Sequence, residues 1–263
     1  MNKKEIKRAN RRALPKFILV LVIAIIVGWT GSYLSGRFRM DAFAEGIRNT
    51  GAFFGTHIAP WLTVAVAVIV PAICIPIYRS AKKLLGAWDG EDEDISDEID
   101  RKLSTSIWIS SASLVFSYFL IAAAYSGGFA VFESKERTIV LFIAIAAFFA
   151  VMVEAVIIQQ KCIDTAKQTN PEKKASVYDM RFQKKWMDDC DEAEKIMIGK
   201  CAFKAYSATN MVCTVLAIVL AVCALLFDIG FLPSLVVCLI WLVNLSVYCW
   251  ESLRLSRAGI PLA

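Results

Sequence analysis

The stretch TIVLFIAIAAFFAVMVEAVII, from Thr138 to Ile158, carries a single charge along its whole length. A helix of roughly twenty residues, rising 1.5 Å per residue, crosses a hydrocarbon layer of about 30 Å. Five further apolar runs are of similar length. They extend approximately over Phe17–Leu34, Trp61–Tyr78, Ile107–Tyr125, Tyr206–Phe227 and Leu232–Trp250. Trp61, Trp108, Tyr206 and Trp250 stand near the ends of their runs, where an amphipathic ring keeps its polar edge at the headgroups. The expected fold is therefore all-α, a polytopic membrane protein of six transmembrane helices.

Composition agrees. The chain of 263 residues is 57% hydrophobic, with a mean hydropathy of +0.56. That is more apolar surface than a soluble fold of this size can bury. The first run follows Lys3, Lys4, Lys7, Arg8, Arg11 and Arg12, as a signal peptide would. It is longer than an h-region, and Gly36-Arg37-Phe38-Arg39 stands where small residues would mark cleavage, so a retained helix is expected.

Charge sets the orientation. With the N-terminus inside, the inner segments hold 24 of the 29 Lys and Arg residues. This is the sense of the positive-inside rule, and the inverted topology reverses it. Both termini are expected in the cytoplasm. The net charge of +5 then reflects cationic flanks at an anionic inner leaflet, and it calls for the lipid bilayer as partner and no nucleic acid. The eight cysteines form no CxxC pair and none falls in an outer loop, so no disulfide framework is implied.

One membrane domain over residues 1–263 is expected, with helical hairpins at about 17–78, 107–158 and 206–250. Two cytoplasmic connectors, about 79–106 and 159–205, are too short for independent domains. The first carries eight carboxylates between Asp89 and Asp100. Their spacing misses the EF-hand pattern, which leaves a solvated acidic turn as the expectation over a cation loop. In the second, Asn170-Pro171 reads as a helix stop followed at once by a new start, with Asn170 as cap and Pro171 at the first helical position. Tyr178, Phe182 and Trp186 then recur at every fourth position, as on an amphipathic helix. An offset of 98 residues aligns Trp88 with Trp186, Lys102 with Lys200 and Trp108 with Tyr206, the pattern of a parallel repeat.

Four hydroxyls, Ser106, Ser110, Ser113 and Ser117, share one face of the third helix by their spacing. Small side chains permit close helix approach, so this face is expected to pack. Ala146 with Ala150, and Gly31 with Ser35, are further pairs of that kind. Pro71 removes a backbone bond to Ala67 from the second helix.

Glu154 is the one acid inside a span, about 6 Å from the inner end of its helix. Asn210 and Asn244 lie at similar depth on the fifth and sixth helices. The three form a possible intramembrane polar cluster, because a carboxylate there gains partners that lipid cannot supply. Catalytic residues are not evident. His57, the only histidine, is placed on the outer side, away from the cytoplasmic cysteines, and HExxH, GxSxG and GxxxxGK[ST] are all missing. No metal site, cofactor or enzymatic reaction is expected.

Two segments carry a family likeness. CDEAEKIMIGKCAFKAY, from Cys190 to Tyr206, leads an acidic pair and a Lys-containing helix straight into a hairpin, and MNKKEIKRANRRALPKF opens the chain. Together they resemble a six-helix domain of unknown function found in multi-pass membrane proteins of Gram-positive bacteria. The resemblance covers nearly the whole chain and implies a bacterial cell membrane location, with no reaction attached. The functional expectation is a non-enzymatic accessory or regulatory protein acting through a protein partner bound by its connectors. A transporter or channel using the Glu154, Asn210 and Asn244 layer, its small-molecule substrate unspecified, is the alternative.

Overall fold

The computed structural model describes residues 41–227 and 230–257, together with nine helical positions between Pro15 and Tyr33. The first expected span, Phe17–Leu34, and the Gly31/Ser35 pair lie largely outside the described residues. The other five spans are present as helices long and apolar enough to cross a membrane, and no strand occurs among the described residues. Two compact units are formed, one of residues 47–197 and one of the flanking segments.

In the first unit, α1 (Asp41–Phe53) runs through a π-helical turn, Phe54–Ile58, into α2 (Ala59–Ala87). Then follow α3 (Glu93–Ala124), a 3-10 segment Tyr125–Glu133, α4 (Lys135–Thr169) and the short α5 (Phe182–Asp188). Helices α2, α3 and α4 pack on one another as a bundle. Their outward faces are apolar: Val115, Phe142, Phe149 and Val153 are each more than half exposed. That pattern suits a lipid environment and would be anomalous in water.

The helices are longer than the apolar runs. Hydropathy ends α2 at Tyr78 and α4 at Ile158, yet the backbone ladders continue to Ala87 and Thr169, and α3 starts at Glu93. Charged residues raise the cost of burial in lipid without breaking a helix. The polar extensions form a small three-helix head of their own. Its core is Ala81, Ile99, Leu103 and Cys162, with Tyr78, Leu85, Trp88 and Ile158 packed against it.

The turn between α2 and α3 shows what the acidic run does. Gly90 takes a φ of 92°, a conformation open mainly to glycine. The Asp89 carboxylate accepts from the backbone N–H groups of Glu91 and Asp92, which holds its pKa below the usual range. Asp92 caps α3 by accepting from Asp94 and Ile95, and Glu93 and Asp94 favour the positive end of the helix. These acids build a helix start, and no group of metal-ligating side chains occurs among the described residues.

Asn170 does end α4. Pro171, however, begins a non-helical strap rather than a helix, and α5 starts only at Phe182. The spacing of Tyr178, Phe182 and Trp186 is therefore helical only in its second half. Phe182 and Trp186 meet with ring centroids 5.7 Å apart and planes tilted by 40°, while Tyr178 stands exposed on a turn.

Helix α6 (Glu192–Phe227), whose residues up to Met197 belong to the first unit, continues into the second and forms a long apolar hairpin there with α7 (Leu232–Arg257). Helix α6 starts on a reciprocal cap: Asp191 Oδ1 accepts from Glu194 N at 2.7 Å, and Glu194 Oε2 accepts from Asp191 N at 3.2 Å. Asp92 and Asp191 thus occupy corresponding places at two helix starts, one residue out of step with the offset that aligned the sequence.

Candidate functional site

Glu154 sits on α4 about one turn from where the apolar run ends. The buried stripe of this helix is Leu141, Ala144, Val151 and Ala155, which places Glu154 at its margin. One carboxylate oxygen, Oε2, is buried and has no hydrogen-bond partner among the described residues. Glu154 also lines an open groove of about 270 Å³ between α2 and α4. Pro71 and Cys74 line the groove near Glu154, Ile75, Ile157 and Ile158 line its middle, and Tyr78, Arg79 and Lys161 line the end towards the head. Pro71 has no N–H to offer, and the Cys74 thiol is turned to the Ser106 carbonyl at 3.9 Å. Arg79 and Lys161 are exposed and make no ion pair among the described residues.

Asn210 and Asn244 belong to the other unit and meet there: Asn244 Nδ2 donates to Asn210 Oδ1 at 3.3 Å. One turn away Tyr206 and Tyr248 stack with ring centroids 4.4 Å apart. Each helix of the hairpin thus contributes one Tyr and one Asn, four residues apart, to a common contact.

On α3, Ser106, Ser110 and Ser117 are fully buried and Ser113 is half-buried. Each hydroxyl donates to a carbonyl three or four residues back on its own helix, at 2.8–3.1 Å. Gln159 of α4 reaches across to Ser110 and Ser111, at 3.5 and 3.1 Å. Ala146 and Ala150 are exposed, contrary to the expectation that this pair packs. They lie two residues out of phase with Ala144, which turns them to the far side of α4.

The head contains the most connected polar group, centred on a residue that the sequence did not single out. Lys173, in the strap, is 8% exposed, forms an ion pair with Glu194 and lies 4.7 Å over the Trp186 ring. Burial raises the Glu194 pKa, but the hydrogen bond and charge of Lys173 outweigh it and hold the carboxyl below its ordinary value. At Asp100, on the polar extension of α3, burial prevails over the same lysine and the pKa is raised. The strap is fastened at a second point by Gln160, whose Oε1 accepts from Ser176 Oγ at 3.2 Å and Val177 N at 2.9 Å. Lys173 lies in a coil with no periodicity, so nothing in the sequence marks it as central.

His57 lies exposed on the π turn, bonded to Thr56 at 2.7 Å and stacked on Phe53. All eight cysteines are free thiols. Burial raises the Cys190 pKa, which disfavours the reactive thiolate.

Bundle, lipid-facing surface and polar head define an all-α polytopic membrane protein. Residues 11–252 match the family model described as protein of unknown function, DUF3169, and the chain belongs to that family. Neither a curated protein nor a solved structure matches it.

Proposed function

We propose that this chain is a non-enzymatic accessory or regulatory membrane protein that presents its head to a protein partner in the bacterial cytoplasm. The observation that carries the reading is the ordered head. A mere linker between spans needs no core of its own, whereas here Ala81, Ile99, Leu103 and Cys162 are buried and the strap is fixed by Lys173 and Gln160. At the strap's tip Tyr178 and Met180 are strongly exposed, a pairing of aromatic and flexible apolar groups suited to anchoring a partner. The head's position on the inner side follows from the charge distribution, with 24 of 29 cationic residues on that side.

Two measurements test this. A reporter fused within Pro171–Lys185 or after Ala263 is expected to be cytoplasmic, and one near Asn49 external; the reverse would remove the reading. A photo-crosslinker placed at Met180 in native membranes is expected to capture one dominant protein, with capture lost when Lys173→Ala loosens the strap. Capture unaffected by Lys173→Ala would refute recognition by the ordered head.

A small transporter or channel is the second reading, favoured by a Glu154 that lines the groove and has one buried oxygen without a partner among the described residues. Loss of solute flux on Glu154→Gln, with the head intact, would select it over the first.

A further inference from the structure

The groove between α2 and α4 has chemistry that neither lipid packing nor the head requires. One end is lined by Glu154, whose Oε2 is buried and has no hydrogen-bond partner among the described residues. The neighbouring wall supplies no donor there, because Pro71 lacks an N–H and Cys74 is directed to Ser106. Glu154 lines the groove, so this end presents a carboxylate and is complementary to a ligand's ammonium or hydroxyl group. The opposite end carries Arg79 and Lys161, two cations with no ion pair among the described residues, and is complementary to an anion. Isoleucine side chains occupy the space between.

The separation of the ends selects among such ligands. Glu154 and Lys161 are seven residues apart on α4, an axial distance of about 10 Å, and Pro71 and Arg79 span about 12 Å on α2. A free amino acid carries its two charges too close together to reach both ends. An extended tripeptide reaches roughly 10 Å at about 3.3–3.6 Å per residue. The volume of about 270 Å³ lies just below the usual range of ligand pockets, and the groove is open, so a bound peptide keeps part of its surface outside it.

We propose that the groove binds a short apolar peptide with free ends. Its ammonium rests on Glu154, its carboxylate on Arg79 and Lys161, and its side chains on Ile75, Ile157 and Ile158. The site is separate from the exposed strap tip and stands or falls independently of any protein partner of the head. Tyr78 and Ile158 line the groove and also pack on the head core, so an occupant touches residues that support the head.

The test uses the full chain in detergent micelles with trileucine, N-acetyl-trileucine and trileucine amide, followed by calorimetry and thermal shift. Trileucine is expected to bind and raise the melting temperature, and blocking either end is expected to weaken binding at least tenfold. Glu154→Gln should weaken trileucine at least tenfold while leaving the already weak N-acetyl peptide unchanged. Equal binding of free and blocked peptides would reduce the effect to apolar partition and overturn the proposal. So would a Glu154→Gln chain that binds trileucine like the wild type. If that variant fails to fold, the comparison of blocked and free peptides on the wild-type chain decides alone. Native mass spectra retaining one phospholipid per chain, with no peptide binding, would assign the groove to lipid and overturn it as well.

Discussion

Replacing Gly55 by alanine tests the packing of the first unit at its tightest point. Gly55 is buried on the π turn between α1 and α2, where that turn crosses the end of α3. A Cβ at this position would stand 2.1 Å from the Ala123 carbonyl oxygen and 2.2 Å from Ser126 Oγ. The serine side chain can rotate away, but the carbonyl belongs to the backbone of a packed helix and cannot. Relief requires the turn and the helix to separate, and overpacking of this kind costs about 1–3 kcal/mol. At roughly 2–4 °C per kcal/mol for a chain of this size, the melting temperature should fall by about 2–12 °C. Gly51 lies four residues earlier in the same helical run, and a methyl group added there would meet nothing within 4 Å. At that position alanine restricts the unfolded chain and favours the helix, so Gly51→Ala should be neutral or raise stability by up to about 1 kcal/mol. Both variants are read by intrinsic fluorescence during heating in one detergent. Indistinguishable melting of Gly55→Ala and Gly51→Ala would refute the close approach of the turn to α3.

Lys173→Ala should lower stability at neutral pH by about 1–2 kcal/mol, because Glu194 and the strap lose their shared partner. The Glu194 pKa is depressed in the folded state, so its contribution is full above the ordinary carboxylate value of about 4.3 and is lost as pH falls through the folded value. The melting difference between wild type and Lys173→Ala should accordingly shrink in acid, and a pH-independent difference would contradict the ion pair. Ser117→Leu should cost about 1–3 kcal/mol, since Ser117 is fully buried, and Ser113→Leu less, since Ser113 is only half-buried; equal, negligible losses would place this face against lipid. Asn244→Leu removes the donor to Asn210 within the hairpin and should cost only about 0.6–1.7 kcal/mol, because the stacked Tyr206 and Tyr248 still join the helices. A larger loss would mean that the asparagine pair organises more than this hairpin.

The spans were readable because the cost of burying a charge in hydrocarbon acts on each residue separately, so an uninterrupted run is visible in one chain. Helix length obeys a different rule. Arg79 and Lys161 end the apolar runs, but neither disturbs the bonding of each N–H to the carbonyl four residues back. Hydropathy therefore reports where lipid would end and not where the helix does, and the head's core of Ala81, Ile99, Leu103 and Cys162 lies in that difference. Asn170 was readable as a stop for the complementary reason, that capping is local chemistry. Pro171 misled because it fits a helix start and a turn equally well, and the choice falls to contacts made by Lys173 and Gln160 with distant residues. Ala146 and Ala150 misled because small size permits close packing without directing it. The larger residues around Ala144 and Ala155 set the buried face, and a two-residue phase difference puts the pair on the other side. Glu154 could be marked as unusual from its depth alone. That it would line a groove shared with a proline and with a thiol committed to Ser106, and keep one buried oxygen without a donor among the described residues, depends on packing. The chemistry of this groove is a property of two helices held side by side, and it enters only with the packing that brings Pro71 opposite Glu154.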